Sequence, residues 1–183
     1  MEAIETIEHA GFTIKVYQDT DASAPEDNGN TDLFLITTSN RYFEVKRKGF
    51  DMDSARDGDY KKDYHVLALN AYIHSGVALS LGTEYPFGDL WDSGQIGYVL
   101  VQKRAGFRNI RTAAESLISE WNSYLAGEVY GYVVEDSDGE HVDSCWGFVG
   151  DIKYCIGEAK QAAEYEAKHR AAEDTKIDTM MAL

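Results

Sequence analysis

His141, Asp143 and Cys145 are spaced two apart, so a β-strand through them directs all three side chains to one face. Imidazole, carboxylate and thiolate are zinc-ligand types, and a fourth ligand from His65 or His74 would complete a tetrahedral site. The chain has no paired ligands of the C-x-x-C or H-E-x-x-H kind, and Cys145 beside Trp146 reads better as a small core residue. No metal and no cofactor is therefore expected.

Other chemistry is equally thin. Glu84, Asp89 and Asp92 surround Trp91, a grouping that suits either a carboxylate-pair hydrolase or, on the preferred reading, a polar rim. Asp136-Ser137-Asp138-Gly139-Glu140 has the residue types of a calcium loop, but the flanking segments read as strands and not as an entering helix, which makes it a hairpin turn. Ser75-Gly76 and Ser93-Gly94 lack a strand-to-helix nucleophile elbow. Phosphate-loop and dinucleotide patterns are absent, so no catalytic residue is assigned.

Two basic islands interrupt an acidic chain. One is Lys46-Arg47-Lys48; the other is Lys103, Arg104, Arg108 and Arg111, within a span from Ser93 to Ala114 that holds no acid. Clustered arginine beside Phe107 could grip phosphate or RNA. The competing reading pairs these bases with acids from neighbouring loops, and the overall charge favours it.

The elements that must position these residues follow from periodicity. Phe12, Ile14 and Val16 alternate along a strand, and Gln18 to Asn30 then forms an exposed acidic loop with Asp19, Asp21, Glu26 and Asp27. Asp32–Thr38 and Tyr42–Val45 read as strands, and Gly49–Lys62 as loop or a frayed helical turn. His65–Leu69 and Tyr72–Leu81 are strand-like, residues 83–94 form a loop stapled by aromatics, and Gln95–Lys103 is a strand covered on both faces. Thr112 and Glu115 form a capping-box pattern ahead of the stripe Ala114, Leu117, Ile118, Trp121 and Leu125, which Gly127 ends. Glu128–Glu135 and Glu140–Phe148 pair across the turn at 136–139, and Asp151 caps a last helix to about Ala172, with fraying after Asp174. The expected fold is α+β: one domain over residues 1–183, a mainly antiparallel sheet with two helices on one face and long acidic loops.

Composition bounds the setting. Thirty-two acids against seventeen bases give a net charge of −15, which repels phosphates and attracts basic protein surfaces. No apolar run approaches a membrane span, the first residues are acidic where a signal peptide would be basic, and two cysteines are too few for a secreted scaffold. A cytoplasmic protein with no membrane contact is expected.

Three stretches together carry a resemblance: His74-Ser75-Gly76, the run from Trp91 to Tyr98 (WDSGQIGY), and GEVYGYVVED at 127–136 with DSCWGF at 143–148. Over about residues 12 to 163 the chain resembles a family of small proteins encoded by bacteriophages, plasmids and integrative elements. The resemblance implies a setting in a bacterial host and not a reaction. Small acidic proteins of mobile elements often inhibit host defence, as anti-CRISPR and antirestriction proteins do. The leading expectation is thus a non-enzymatic inhibitor of a host defence nuclease, a CRISPR effector or a restriction enzyme. Its contacts would be Asp19, Asp21, Glu26, Asp27, Glu84, Asp89, Asp92, Glu135, Asp136 and Asp138, with Tyr85 and Trp91 as anchors and partial DNA mimicry. The alternatives are a nucleic-acid-binding accessory protein using the 103–111 segment, or a small metal-dependent enzyme.

Overall fold

The structure is a computed structural model that describes residues 1–25, 31–82 and 92–181. In chain order its elements are β1 (Glu5–His9), β2 (Phe12–Gln18), β3 (Leu33–Thr37), α1 (Met52–Asp57), β4 (Tyr64–Ile73), β5 (Val77–Leu81), β6 (Ser93–Gln102), α2 (Ile110–Leu125), β7 (Val129–Glu135), β8 (His141–Val149) and α3 (Ile152–Met181). Short 3-10 turns lie at Asp59–Lys62 and Lys103–Ala105. The chain divides into two compact units, Met1–Ala22 with Gly127–Leu183, and Ser23–Ala126. Each has its own antiparallel sheet and its own core.

In the discontinuous unit the strand order is β1-β2-β7-β8. Phe12, Ile14 and Val16 of β2 point inward, as their alternation predicts, and meet Tyr132 and Val134 of β7. Against them α3 presents Cys155, Ala159 and Ala163, small residues four apart that let the helix lie close to the sheet. The Asp151 carboxylate accepts from Lys153 N at 2.9 Å, which satisfies a free donor at the helix start. The helix runs on past 172 to Met181. The first strand, β1, was not anticipated; its two-residue turn, Ala10 and Gly11, has positive φ at both positions, matching the twist of a tight hairpin.

In the Ser23–Ala126 unit the order is β3-β6-β4-β5. Leu33 and Leu35 of β3, Leu69 of β4 and Val99 and Val101 of β6 face α2, which buries Ala114, Leu117, Ile118 and Trp121. On the opposite face Phe34, Ile36 and Leu100 pack with Ala55 of α1, beside Phe50, Tyr60 and Tyr64. Both faces of β6 are covered, as its run of apolar residues requires. Tyr42–Val45 forms no strand, yet Phe43 and Val45 are buried, and Val45 N donates to Thr37 Oγ1 at 2.7 Å. The supposedly irregular Gly49–Lys62 contains α1, capped by Asp51, whose carboxylate accepts from Ser54 N.

The α+β class and the antiparallel pairing stand as expected. The arrangement differs in one respect: there are two four-stranded sheets with one long helix each, not one sheet carrying both helices. No helix among the described residues is long and apolar enough to cross a membrane.

The start of α2 also differs. Asn109, not Thr112, is the cap, its side chain accepting from Thr112 N at 3.1 Å, and Glu115 instead pairs with Arg111 at 2.7 Å. Asn109→Ala is expected to cost about 1 kcal/mol of stability, read as a lower midpoint in urea denaturation, whereas Thr112→Ala should cost much less.

Candidate anion-binding ledge

The 103–111 segment does not stand alone. Strands β4 and β6 pair with Tyr64 opposite Gln102, so the residues just before β4 lie beside those just after β6. Lys61 and Lys62 therefore meet Lys103 and Arg104. Lys103 N donates to the Asp63 carbonyl at 2.9 Å and Lys103 Nζ to the Lys61 carbonyl at 2.6 Å, tying the two turns together. Arg111 joins them from the first turn of α2.

Two shallow cavities flank this strand end and meet at Tyr64 and Lys103. One, about 500 Å³, is lined by Lys61, His65, Leu67, Lys103, Ile110 and Arg111 among others. The second, about 340 Å³, is lined by Lys62, Asp63, Tyr64, Gln102, Lys103 and Arg104. Arg108 is exposed on the connecting loop and lines neither. The result is a basic ledge with a partly apolar floor.

Pairing with nearby acids, the reading favoured by net charge, is met among the described residues by Arg111, which pairs with Glu115. Among the described residues, Lys61, Lys62, Lys103, Arg104 and Arg108 form no ion pair. Among the described residues Asp63 is the one acid lining the cavities. The ledge also lies at the N-terminal end of α2, where the helix dipole already adds positive potential and a cation is unfavourable. Arg111 offsets some of that cost through its i,i+4 pair with Glu115. In the other basic island Lys46 pairs with Glu44 at 2.9 Å, the Arg47 guanidinium sits 4.1 Å from the Phe34 ring centroid, and Lys48 is exposed.

The remaining candidates fare differently. Glu26, Asp27, Glu84, Tyr85, Asp89 and Trp91 lie outside the described residues. Asp19 accepts from Gly147 N at 3.2 Å and from Asp21 N, and Glu135 takes Lys15 at 2.6 Å, so both serve internal contacts. Asp21 and Asp138 are exposed, and Asp92 is half-buried with its carbonyl accepting from Ile73 N.

Asp136 organises the β7–β8 hairpin. Its Oδ1 accepts from Glu140 N at 3.0 Å and Asp138 N at 3.1 Å, and its Oδ2 meets Arg170 at 3.2 Å. These bonds, the Glu140 amide foremost, hold its carboxyl below the ordinary 3.8. A depressed folded value stabilises above the unfolded value and is lost as pH falls through the folded one. The wild type should therefore lose unfolding free energy below about pH 4, and Asp136→Asn should flatten that part of the profile in urea titrations at stepped pH.

The metal reading loses its geometry. The β7–β8 register shifts between Val134 and Glu135, so Asp143 pairs with inward Val134 while His141 pairs with Glu135 on the opposite face. His141 Nε2 hydrogen-bonds Ser144 Oγ at 3.1 Å, and Asp143 accepts from the Tyr132 hydroxyl at 3.2 Å. Burial, then the Asp143 carboxylate, raises the Tyr132 phenol, and burial pushes the Cys155 thiol up to about 11. A thiol so buried stays protonated near neutrality and is a poor nucleophile. Among the described residues no three His, Cys, Asp or Glu side chains are grouped to hold a metal ion.

The bases Lys61 and Lys62 escaped the sequence reading because their stretch shows no periodicity. Only the β4–β6 register, a pairing across about forty residues, brings them to the ledge.

No family model, curated protein or solved structure matches the chain.

Proposed function

We propose that the chain is a non-enzymatic binding protein that holds the phosphodiester backbone of nucleic acid on the ledge formed by Lys61, Lys62, Lys103, Arg104 and Arg111. The observation that carries this reading is the convergence of two turns, 42 residues apart, whose Lys61, Lys62, Lys103 and Arg104 form no ion pair among the described residues. Charge distribution supports it. The Ser23–Ala126 unit holds 11 of the 17 bases against 14 acids, a net of −3, whereas the other unit has 18 acids and 6 bases, a net of −12. The acidity that seemed to forbid phosphate contact is thus concentrated away from the ledge in sequence.

Fluorescence anisotropy with a labelled thymidine 20-mer and a 20-base-pair duplex tests the reading. Binding is expected to weaken with salt, with a log–log slope of roughly −3 to −4 for about five phosphate contacts on a single strand. No binding of either probe at low salt would remove the proposal.

A second reading is favoured by the same segregation of charge. The unit with net charge −12 suits a basic protein surface, such as the nucleic-acid groove of a host defence nuclease, in keeping with the mobile-element resemblance. Of its contacts, Asp21 and Asp138 are exposed and uncommitted to a salt bridge among the described residues. Stoichiometric, salt-reversible capture of a purified CRISPR effector or restriction enzyme would support this reading in place of the ledge.

A further inference from the structure

We infer that Tyr17 and Trp146, on the face of the β1-β2-β7-β8 sheet turned away from α3, form a docking platform for an arginine- or lysine-rich segment of a partner protein. The platform is built by a β-bulge. Tyr130 pairs with Phe148 and Tyr132 with Cys145, so Trp146 and Gly147 together oppose the single residue Gly131. Gly147 has φ +83, and a bulge with a glycine in that conformation re-aims the neighbouring side chain. The re-aimed indole lies flat on β7. A Cβ at Gly131 would come within 2.2 Å of the Trp146 ring, so only glycine leaves room for it.

Two further contacts fix the ring. Tyr17, directly opposite Gly131 in the register, stacks on it with centroids 5.9 Å apart and planes 27° from parallel. The Asp19 carboxylate accepts from Gly147 N at 3.2 Å and pins the bulge. Despite this scaffolding Trp146 remains 43% exposed, while Trp121, a core tryptophan, is 4% exposed. An apolar ring held rigidly in solvent by a bulge, a glycine and a carboxylate is arranged for contact.

Charge selects the occupant. Stacked aromatic faces accept either a nucleobase or a cation. The unit that carries the platform has a net charge of −12, which repels the phosphates accompanying a base and draws in cationic side chains. The inference is independent of the ledge, which belongs to the other unit.

The test uses the full chain and a nona-arginine peptide, followed by the tryptophan indole N–H signals in NMR, with Trp146→Phe identifying the relevant peak. Saturation is expected to move the Trp146 indole. Trp146→Ala and Tyr17→Ala should each weaken peptide binding by about three- to thirtyfold with unchanged circular dichroism, and Trp146→Phe should fall between them and the wild type. Neutralising Lys103 and Arg104 should leave peptide affinity unreduced. Nona-arginine affinity untouched by Trp146→Ala, or a Trp146 indole that stays still at saturation, would overturn the inference. So would a Trp146 indole moved by the thymidine 20-mer instead.

Discussion

Gly97→Ala is expected to destabilise the Ser23–Ala126 unit by about 3 kcal/mol or more, lowering its melting temperature by on the order of 15 °C. Gly97 lies opposite Thr37 in the β3–β6 pair, and a Cβ built on it would fall 2.1 Å from the Ile36 carbonyl oxygen and 3.0 Å from the Thr37 Cα. Both obstacles are backbone, so no rotamer change relieves them. Separating the strands would strip contacts from Leu35 and Val99, which are buried in the core between sheet and α2. Gly94 supplies the control. It lies on the same strand, and a methyl carbon added there would meet nothing within 4 Å, so Gly94→Ala should melt close to the wild type. Circular dichroism melts of the two variants decide the matter. Equal melting temperatures would mean that β3 and β6 do not approach as described.

The second large effect concerns the ledge. Replacing Lys103, Arg104, Arg108 and Arg111 together by glutamine is expected to reduce oligonucleotide affinity roughly a hundredfold to a thousandfold near 0.1 M salt. On the single strand the salt slope should shrink by about 0.7 for each phosphate contact removed. The sharper case is Lys61→Gln with Lys62→Gln, a pair that sequence proximity to the 103–111 segment would never implicate. If the ledge is the contact surface, this double variant should lose about 1.4 units of slope on the single strand while folding normally. An unchanged slope would detach Lys61 and Lys62 from the site. Retained affinity in the fourfold variant would move binding elsewhere on the chain.

What could be read from the sequence was whatever local periodicity encodes. The alternation of Phe12, Ile14 and Val16 gave the inward face of β2, and the spacing of Ala114, Leu117, Ile118 and Trp121 gave the buried stripe of α2. The hairpin at Asp136 was equally legible, because its turn chemistry is contained in five residues. Pairing over long separations was not. The second partner of β2 is β7, whose Gly131 lies 114 residues beyond Tyr17, and nothing local in either strand announces that choice. A single sheet was therefore expected where two form. The same limit explains the site: half of the ledge was visible as a run of arginines, and the other half arrives through strand register. Glu5–His9 was missed because its acids dilute any apolar alternation, leaving Ile7 as the one apolar residue turned toward the core. The bulges opposite Gly131 and near Glu135 were hidden for another reason. A bulge changes which face a side chain takes without changing composition, so it reversed His141 relative to Asp143 and turned Trp146 outward.

The insertion of residues 23–126 between β2 and β7 has a consequence for synthesis on the ribosome. Strand β2 is complete at Gln18, but the strand it must pair with begins at Val129. At about 5 to 20 residues per second, the β1–β2 hairpin waits on the order of ten seconds with one edge unsatisfied. Throughout that interval Phe12, Ile14 and Val16 have no helix to cover them, since Cys155, Ala159 and Ala163 are made later still. The intervening unit, by contrast, has every strand of its sheet and its helix within one continuous stretch and can close as soon as Leu125 is clear of the tunnel. Folding order should thus be inverted relative to chain order, with the middle of the chain finished first and its two flanks joined last.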